Sequence, residues 1–170
     1  TGLPPLSIAR RDLKPSNIRI DGNGEPHVLD FGLAKFAFDS HAIDHRQSAI
    51  DNPPTLTGQF IGSLPWSSPE QAEGAHGKMD VRTDVYALGV VLYHMLTGRF
   101  PYPVIGNMHD VLDNILNVDP TPPSAIRRRI DNEVETIVLK CLQKDRDRRY
   151  QSAGELARDV RHYLAGEALE

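Results

Sequence analysis

Between Val85 and Leu96 the chain is apolar nearly all the way round a helix: Val85, Leu88, Val91, Leu92 and Leu96 fall on one side, Val90, Tyr93 and Met95 elsewhere. A helix of that kind belongs inside a core, so the remaining residues must wrap it. Thr97-Gly98 supplies its stop, and Pro101 and Pro103 forbid an immediate return to helix. With 170 residues the chain can build one such core but is short for two.

Three amphipathic helices are available to do the wrapping. Asn107 caps one that carries Met108, Val111, Leu112, Ile115 and Leu116, and Asp131 caps another with Val134, Ile137, Val138 and Cys141. Ser152 opens the last, whose Leu156, Val160, Tyr163 and Leu164 recur at helical spacing, and Glu155 is placed to complete a capping box with it. Near the start, Asn17-Ile18-Arg19-Ile20 and His27-Val28-Leu29-Asp30 read as two short strands around the turn signal Asp21-Gly22-Asn23-Gly24. That hairpin holds Asn17 close to Asp30. Thr1 to Ser7, with Gly2, Pro4 and Pro5, reads as a loose lead-in. From Phe31 to Trp66 no period is sustained, as expected of a long functional loop. His41 and His45 lie in that loop four residues apart, with no further ligand cluster beside them, and read as exposed loop residues.

Composition sets the class. A hydrophobic fraction of 39% with 25% charged residues suits a soluble globular domain, and the formal charge of −4 argues against a nucleic-acid partner. The Arg127-Arg128-Arg129 run and Arg146 to Arg149 read as solvated surface, Arg149 excepted. The single cysteine, Cys141, excludes an intrachain disulfide and sits in an apolar helical pattern, as a small buried hydrophobe would in a reducing cytoplasm. The sequence carries no signal-peptide pattern, and the Val85 to Tyr93 stretch is too short to span a bilayer. A cytoplasmic location is the expectation, with an anchor outside this chain left open.

The chemistry lies in short motifs that fall in one order. Arg11-Asp12-Leu13-Lys14-Pro15-Ser16-Asn17 is followed by Asp30-Phe31-Gly32, Gly62-Ser63 and Ser68-Pro69-Glu70. Asp84-Val85-Tyr86-Ala87-Leu88-Gly89 comes next, and then Cys141-Leu142-Gln143-Lys144-Asp145 with Arg149-Tyr150. Together they resemble the large C-terminal lobe of a serine/threonine protein kinase of bacterial type. The resemblance implies a mainly α fold with a small β-hairpin. It covers 8–166, with the catalytic loop at 10–17, the activation segment at 30–70, a helical base at 82–166 and a tail at 167–170.

The same resemblance assigns roles. Asp12 is the aspartate that orients the substrate hydroxyl and takes its proton, Lys14 neutralises charge on the transferring phosphate, and Ser63 stands where such kinases usually have Thr. Asn17 and Asp30 are the magnesium ligands, and with Lys14 they face ATP; the partner is a protein bearing Ser or Thr hydroxyls. Arg11 implies an activation loop docked through a phosphate, with Thr55 and Thr57 the candidate phosphosites ahead of Ser40 and Ser48. Glu70 pairs with Arg149, and Asp84 lies beneath the catalytic loop; these three are structural.

Three departures qualify the pattern. Arg10 stands where the family carries His, Trp66 replaces the usual Tyr, and Arg146 the usual Pro. No glycine-rich turn, strand lysine or partner glutamate precedes Asp12, so the small N-terminal lobe and its ATP clamp are absent from the sequence, and a separate small lobe or partner chain is implied. The competing reading is a noncatalytic kinase-like module that works through protein contacts.

Overall fold

The computed structural model describes residues 13–29 and 63–169. The lead-in, the catalytic-loop residues before Leu13 and the loop from Asp30 to Gly62 lie outside them. Among the described residues are one hairpin and six α-helices, joined by short 3-10 turns.

The hairpin pairs β1 (Ile18–Ile20) with β2 (Pro26–Val28), antiparallel, in the register Ile18↔Val28, Arg19↔His27 and Ile20↔Pro26. Pro26, which cannot donate to a ladder, takes the first position of its strand. The connection is fastened by Asp21, whose carboxylate accepts the N–H groups of Asn23 and Glu25, each at 2.9 Å. Gly24, at φ 87°, takes the left-handed backbone that a side chain would resist. Just ahead of β1, Pro15–Asn17 forms a 3-10 turn, and the Leu29 N–H reaches the Asn17 carbonyl at 2.9 Å. The pairing therefore runs one residue past β2, toward the catalytic-loop end.

The helices are α1 (Pro69–Ala72), α2 (Val81–Thr97), α3 (Met108–Asn117), α4 (Pro123–Ile126), α5 (Asn132–Cys141) and α6 (Ala153–Ala165). The all-round apolar run is α2, and its buried residues do face several directions. Val85 packs with Ile137, Cys141, Tyr150 and Leu156, while Tyr86, Val90 and Tyr93 pack with Val138 and Leu142. A third cluster joins Leu64, Tyr102, Val111 and Ile115. Each fully buried Val or Leu here is worth about 1.5–3 kcal/mol over its exposed state, which is how α2 organises the domain. Gly89 lets α5 come close: a Cβ there would lie 2.5 Å from that of Cys141.

Asn107 and Asp131 cap α3 and α5 as expected, accepting the N–H groups of Asp110 and Val134 at 2.9 Å each. Gly98, at φ 73°, closes α2 with its N–H on the His94 carbonyl. Three details differ from the sequence reading. Helix α2 begins at Val81, earlier than the apolar pattern, because Asp80 caps it by accepting the Arg82 N–H at 2.9 Å. The short α4 was not anticipated. Ser152 accepts the Glu155 N–H at 3.2 Å, but the Glu155 carboxylate turns to the Gln151 N–H at 2.7 Å, so the capping box at α6 is displaced by one residue. Cys141 is fully buried, and burial pushes its thiol up to about 12, which fits packing and not nucleophilic chemistry.

Candidate active site

Leu13, the first described residue of the Arg11-to-Asn17 motif, is buried beside Thr83 and Ala87 of α2, and Lys14 follows it. The Lys14 ammonium donates to the Ser63 hydroxyl at 2.6 Å across forty-nine residues of sequence. Ser63 precedes the 3-10 turn Leu64–Trp66, in which the Ser67 N–H returns to the Leu64 carbonyl and the Ser67 hydroxyl reaches the Ser63 carbonyl at 3.4 Å. A small polar pocket opens beside this contact, lined by Leu13, Ser63, Ser67, Gln71, Thr83 and Asp84 among others. Ser63 and Asp84 thus line one pocket, and Lys14 reaches it through its bond to Ser63.

Asn17 ends the 3-10 turn, next to Leu29, the last described residue before Asp30. Asp12, Asp30, Arg10, Arg11, Thr55 and Thr57 lie outside the described residues. Among the described residues no cluster of three or more His, Cys, Asp or Glu could hold a metal. The Asn17 side-chain oxygen is nonetheless a hard donor of the kind magnesium accepts, and that ion takes few protein ligands because it retains water. The donor chemistry therefore fits magnesium provided Asp30 contributes.

The other end of the segment is fixed by a buried ion pair. Ser68 accepts the Gln71 N–H at 3.4 Å, and the Gln71 side chain accepts the Ser68 N–H at 2.9 Å, a reciprocal box that starts α1 and sets Glu70 inward. Arg149 uses all five of its N–H donors: Nη1 and Nη2 on the two Glu70 oxygens at 2.8 and 2.9 Å, and the rest on the carbonyls of Gln143, Lys144 and Arg82. Thr83 adds its hydroxyl to Glu70 at 2.8 Å. Burial alone drives the Glu70 carboxyl upward. The bonds and charge of Arg149, with help from its own N–H and Thr83, outweigh that and hold it below its ordinary value. The Arg149 guanidinium also lies over the Tyr86 ring, 4.8 Å from its centre, and the Tyr86 and Tyr102 hydroxyls meet at 3.1 Å.

Several partners had escaped the sequence reading. The Ser68–Gln71 box carries a readable signature, Ser-x-x-Gln, whereas Thr83 and Tyr86 offer no local signal because their contacts cross from another element. Arg146, in place of the usual Pro, donates to the Lys78 carbonyl and to Asp80 at 3.2 Å, and Arg82 bridges Asp80 and Asp147 at 2.7 and 2.6 Å. Trp66 packs edge-on against His94 and Phe100, with ring centres 5.5 and 4.8 Å away.

The motif order, the helical fold and this site define a protein kinase domain: the chain matches that family over residues 5–160 and belongs to it. Among the relatives it resembles are serine/threonine-protein kinase PknB of Mycolicibacterium smegmatis, 39% identical over 162 residues, and PknB of Mycobacterium tuberculosis, 37% identical over 163. A probable serine/threonine-protein kinase of Streptomyces coelicolor is 38% identical over 162 residues. These alignments cover 95%, 96% and 95% of this chain but 24%, 24% and 22% of the relatives. The chain thus spans about a quarter of their length. Among the described residues no helix is long and apolar enough to cross a membrane.

Proposed function

We propose that the chain is the large-lobe portion of a serine/threonine protein kinase that transfers the ATP γ-phosphate to protein Ser or Thr hydroxyls. The observation that carries this reading is the 2.6 Å Lys14–Ser63 bond, which joins the catalytic-loop motif to the segment that would receive the substrate. Asp12 orients the attacking hydroxyl and accepts its proton as the new P–O bond forms and the bond to the β-phosphate oxygen breaks. Lys14 places positive charge by the moving phosphoryl group, and Ser63 keeps that amine aimed. Asn17 and Asp30 hold magnesium, which when bound neutralises phosphate charge. Glu70, Arg149 and Asp84 brace the segment and the loop. Arg11 takes a phosphate carried by Thr55 or Thr57, drawing the activation segment into place. The domain extends over 8–166, and the setting is cytoplasmic, where ATP and protein substrates meet.

Arg10 favours a second reading, a noncatalytic module that binds proteins, because a long cation replaces the His that packs against Phe31 in the family. A chimera that joins the small lobe of the M. smegmatis relative to this chain separates the two. The expected result is phosphoserine or phosphothreonine on a protein substrate, with Asp12→Asn reducing turnover at least a hundredfold, the scale of a lost positioned acid–base group. A chimera that folds and binds Mg-ATP yet transfers no phosphate supports the noncatalytic module.

A further inference from the structure

Trp66 has two faces of contact. On one side it lines the polar pocket with Leu13, Ser63 and Asp84; on the other its ring lies edge-on to His94 and Phe100, with centres 5.5 and 4.8 Å away. His94 and Phe100 also meet each other, at 4.9 Å. The turn Leu64–Trp66 is therefore held at both ends. Leu64 packs with Tyr102, Val111 and Ile115, and Trp66 packs against a ring from the last turn of α2 and another just beyond its Gly98 stop.

His94 occupies its place at a cost. Its ring is half-buried, and Nδ1 is the one buried side-chain nitrogen or oxygen among the described residues that meets no hydrogen-bond partner. A leucine there would leave no such atom unpaired and would favour the helix more than histidine does, so stability does not account for the residue. What a leucine cannot supply is a flat ring edge-on to the indole. The two planes stand at 81°, an arrangement that aromatic quadrupoles favour and that fixes an angle as well as a separation.

We propose that His94 is a positioning residue: through Trp66 it sets the turn that follows Ser63, and so the aim of the Lys14 amine bonded to the Ser63 hydroxyl. This rests on the kinase reading, in which that amine meets the moving phosphoryl group. The angle of the Trp66 ring fixes the end of the turn, the Ser67 N–H closes it on the Leu64 carbonyl at 3.0 Å, and the Ser67 hydroxyl reaches back to the Ser63 carbonyl. A displaced indole therefore loosens the segment that carries Ser63.

The test compares His94→Leu, which removes both the unpaired nitrogen and the edge-on ring, with His94→Phe, which keeps a ring. In the whole chain, hydrogen exchange of the Ser67 N–H and acrylamide quenching of Trp66, the single tryptophan, report the turn without any catalysis. His94→Leu is expected to speed that exchange on the order of fivefold and to raise the quenching constant while the urea midpoint holds or rises, and His94→Phe to restore both. In the chimera with a small lobe, His94→Leu is expected to lower kcat on the order of tenfold with KM for Mg-ATP unchanged, the signature of misplacement without lost binding. Exchange and quenching that stay at wild-type values in His94→Leu overturn the proposal. So does a urea midpoint that falls as exchange quickens, which makes His94 a stabilising residue only, or a kcat that ignores the loosened turn. A parent chimera that transfers no phosphate fails the kinase reading instead, and exchange and quenching in the chain alone still decide whether His94 sets the turn.

Discussion

Glu70 and Arg149 are nine-tenths or more buried, and each supplies the countercharge that the other's burial requires. Replacing Arg149 with Met strands the Glu70 carboxylate with the Thr83 hydroxyl and frees three backbone carbonyls, and should cost about 3–5 kcal/mol in urea denaturation. The double change Glu70→Leu with Arg149→Met should cost less than the sum of the single changes, since no buried charge is left behind. The pH dependence follows from the depressed carboxyl. The unfolded chain takes up the proton first as pH falls, so the pair's contribution is complete above the ordinary Glu value and is lost as pH drops through the lower folded one. Thermal melts of wild type and Glu70→Gln should therefore differ most at neutral pH and converge in acid. A gap that persists unchanged to pH 3 would mean that ionisation of Glu70 has no part in it.

At the scale of elements, α2 depends on a missing side chain. Gly89 sits in the middle of a 17-residue helix, where glycine ordinarily weakens helix formation by about 1 kcal/mol, and it is present because the Cys141 Cβ and the Leu142 side chain occupy the space its own Cβ would fill. Gly89→Ala gains propensity and loses packing; overpacking of a filled core costs about 1–3 kcal/mol, so the net effect should be destabilising. A rise in urea midpoint would show that α5 shifts away at little cost. The existence of α2 was legible because an all-round apolar run has one physical solution, burial. The caps at Asn107 and Asp131 and the Gly98 stop were legible because they obey local rules. The start of α2 was not: its polar first turn is held by Asp80 together with the Arg82 and Arg146 bonds, which tie it to residues some 65 positions away. The Glu155 box failed for a subtler reason, since two adjacent N–H groups compete for one carboxylate and the sequence does not say which wins. The contact of Lys14 with Ser63 rests on a resemblance at sequence level, and only the packing of Leu13 gives it a physical route.

For the whole molecule the contrast is between a closed helical mass and an open edge. On α2 Val85, Tyr86, Val90 and Tyr93 are fully buried and Met95 is exposed, whereas the hairpin exposes Ile20 to 63% and the adjoining Leu29 to 56%, and a two-stranded hairpin has little stability of its own. This edge carries Asn17, so an element well suited to being covered also bears a proposed metal ligand. In the chain alone, the proposed set of Lys14, Asn17 and Asp30 would face a nucleotide from one side, with no glycine-rich turn in residues 1–11 opposite it. One-sided binding of that kind should be weaker than about 10 mM. At 1 mM Mg-ATP, mass action then stabilises the chain by less than about 0.1 kcal/mol, a melting shift under roughly 0.5 °C for a domain of this size. The chimera with a small lobe, binding in the ordinary micromolar range, should gain about 2.7 kcal/mol when nucleotide is at a hundred times its dissociation constant, and the melt should rise by several degrees. Differential scanning fluorimetry of both proteins with Mg-ATP, with Asn17→Ala as the control, decides the matter. A shift above about 2 °C in the chain alone, erased by Asn17→Ala, would mean that the open edge captures nucleotide without a second lobe, and the proposed division of labour between the two lobes would be wrong.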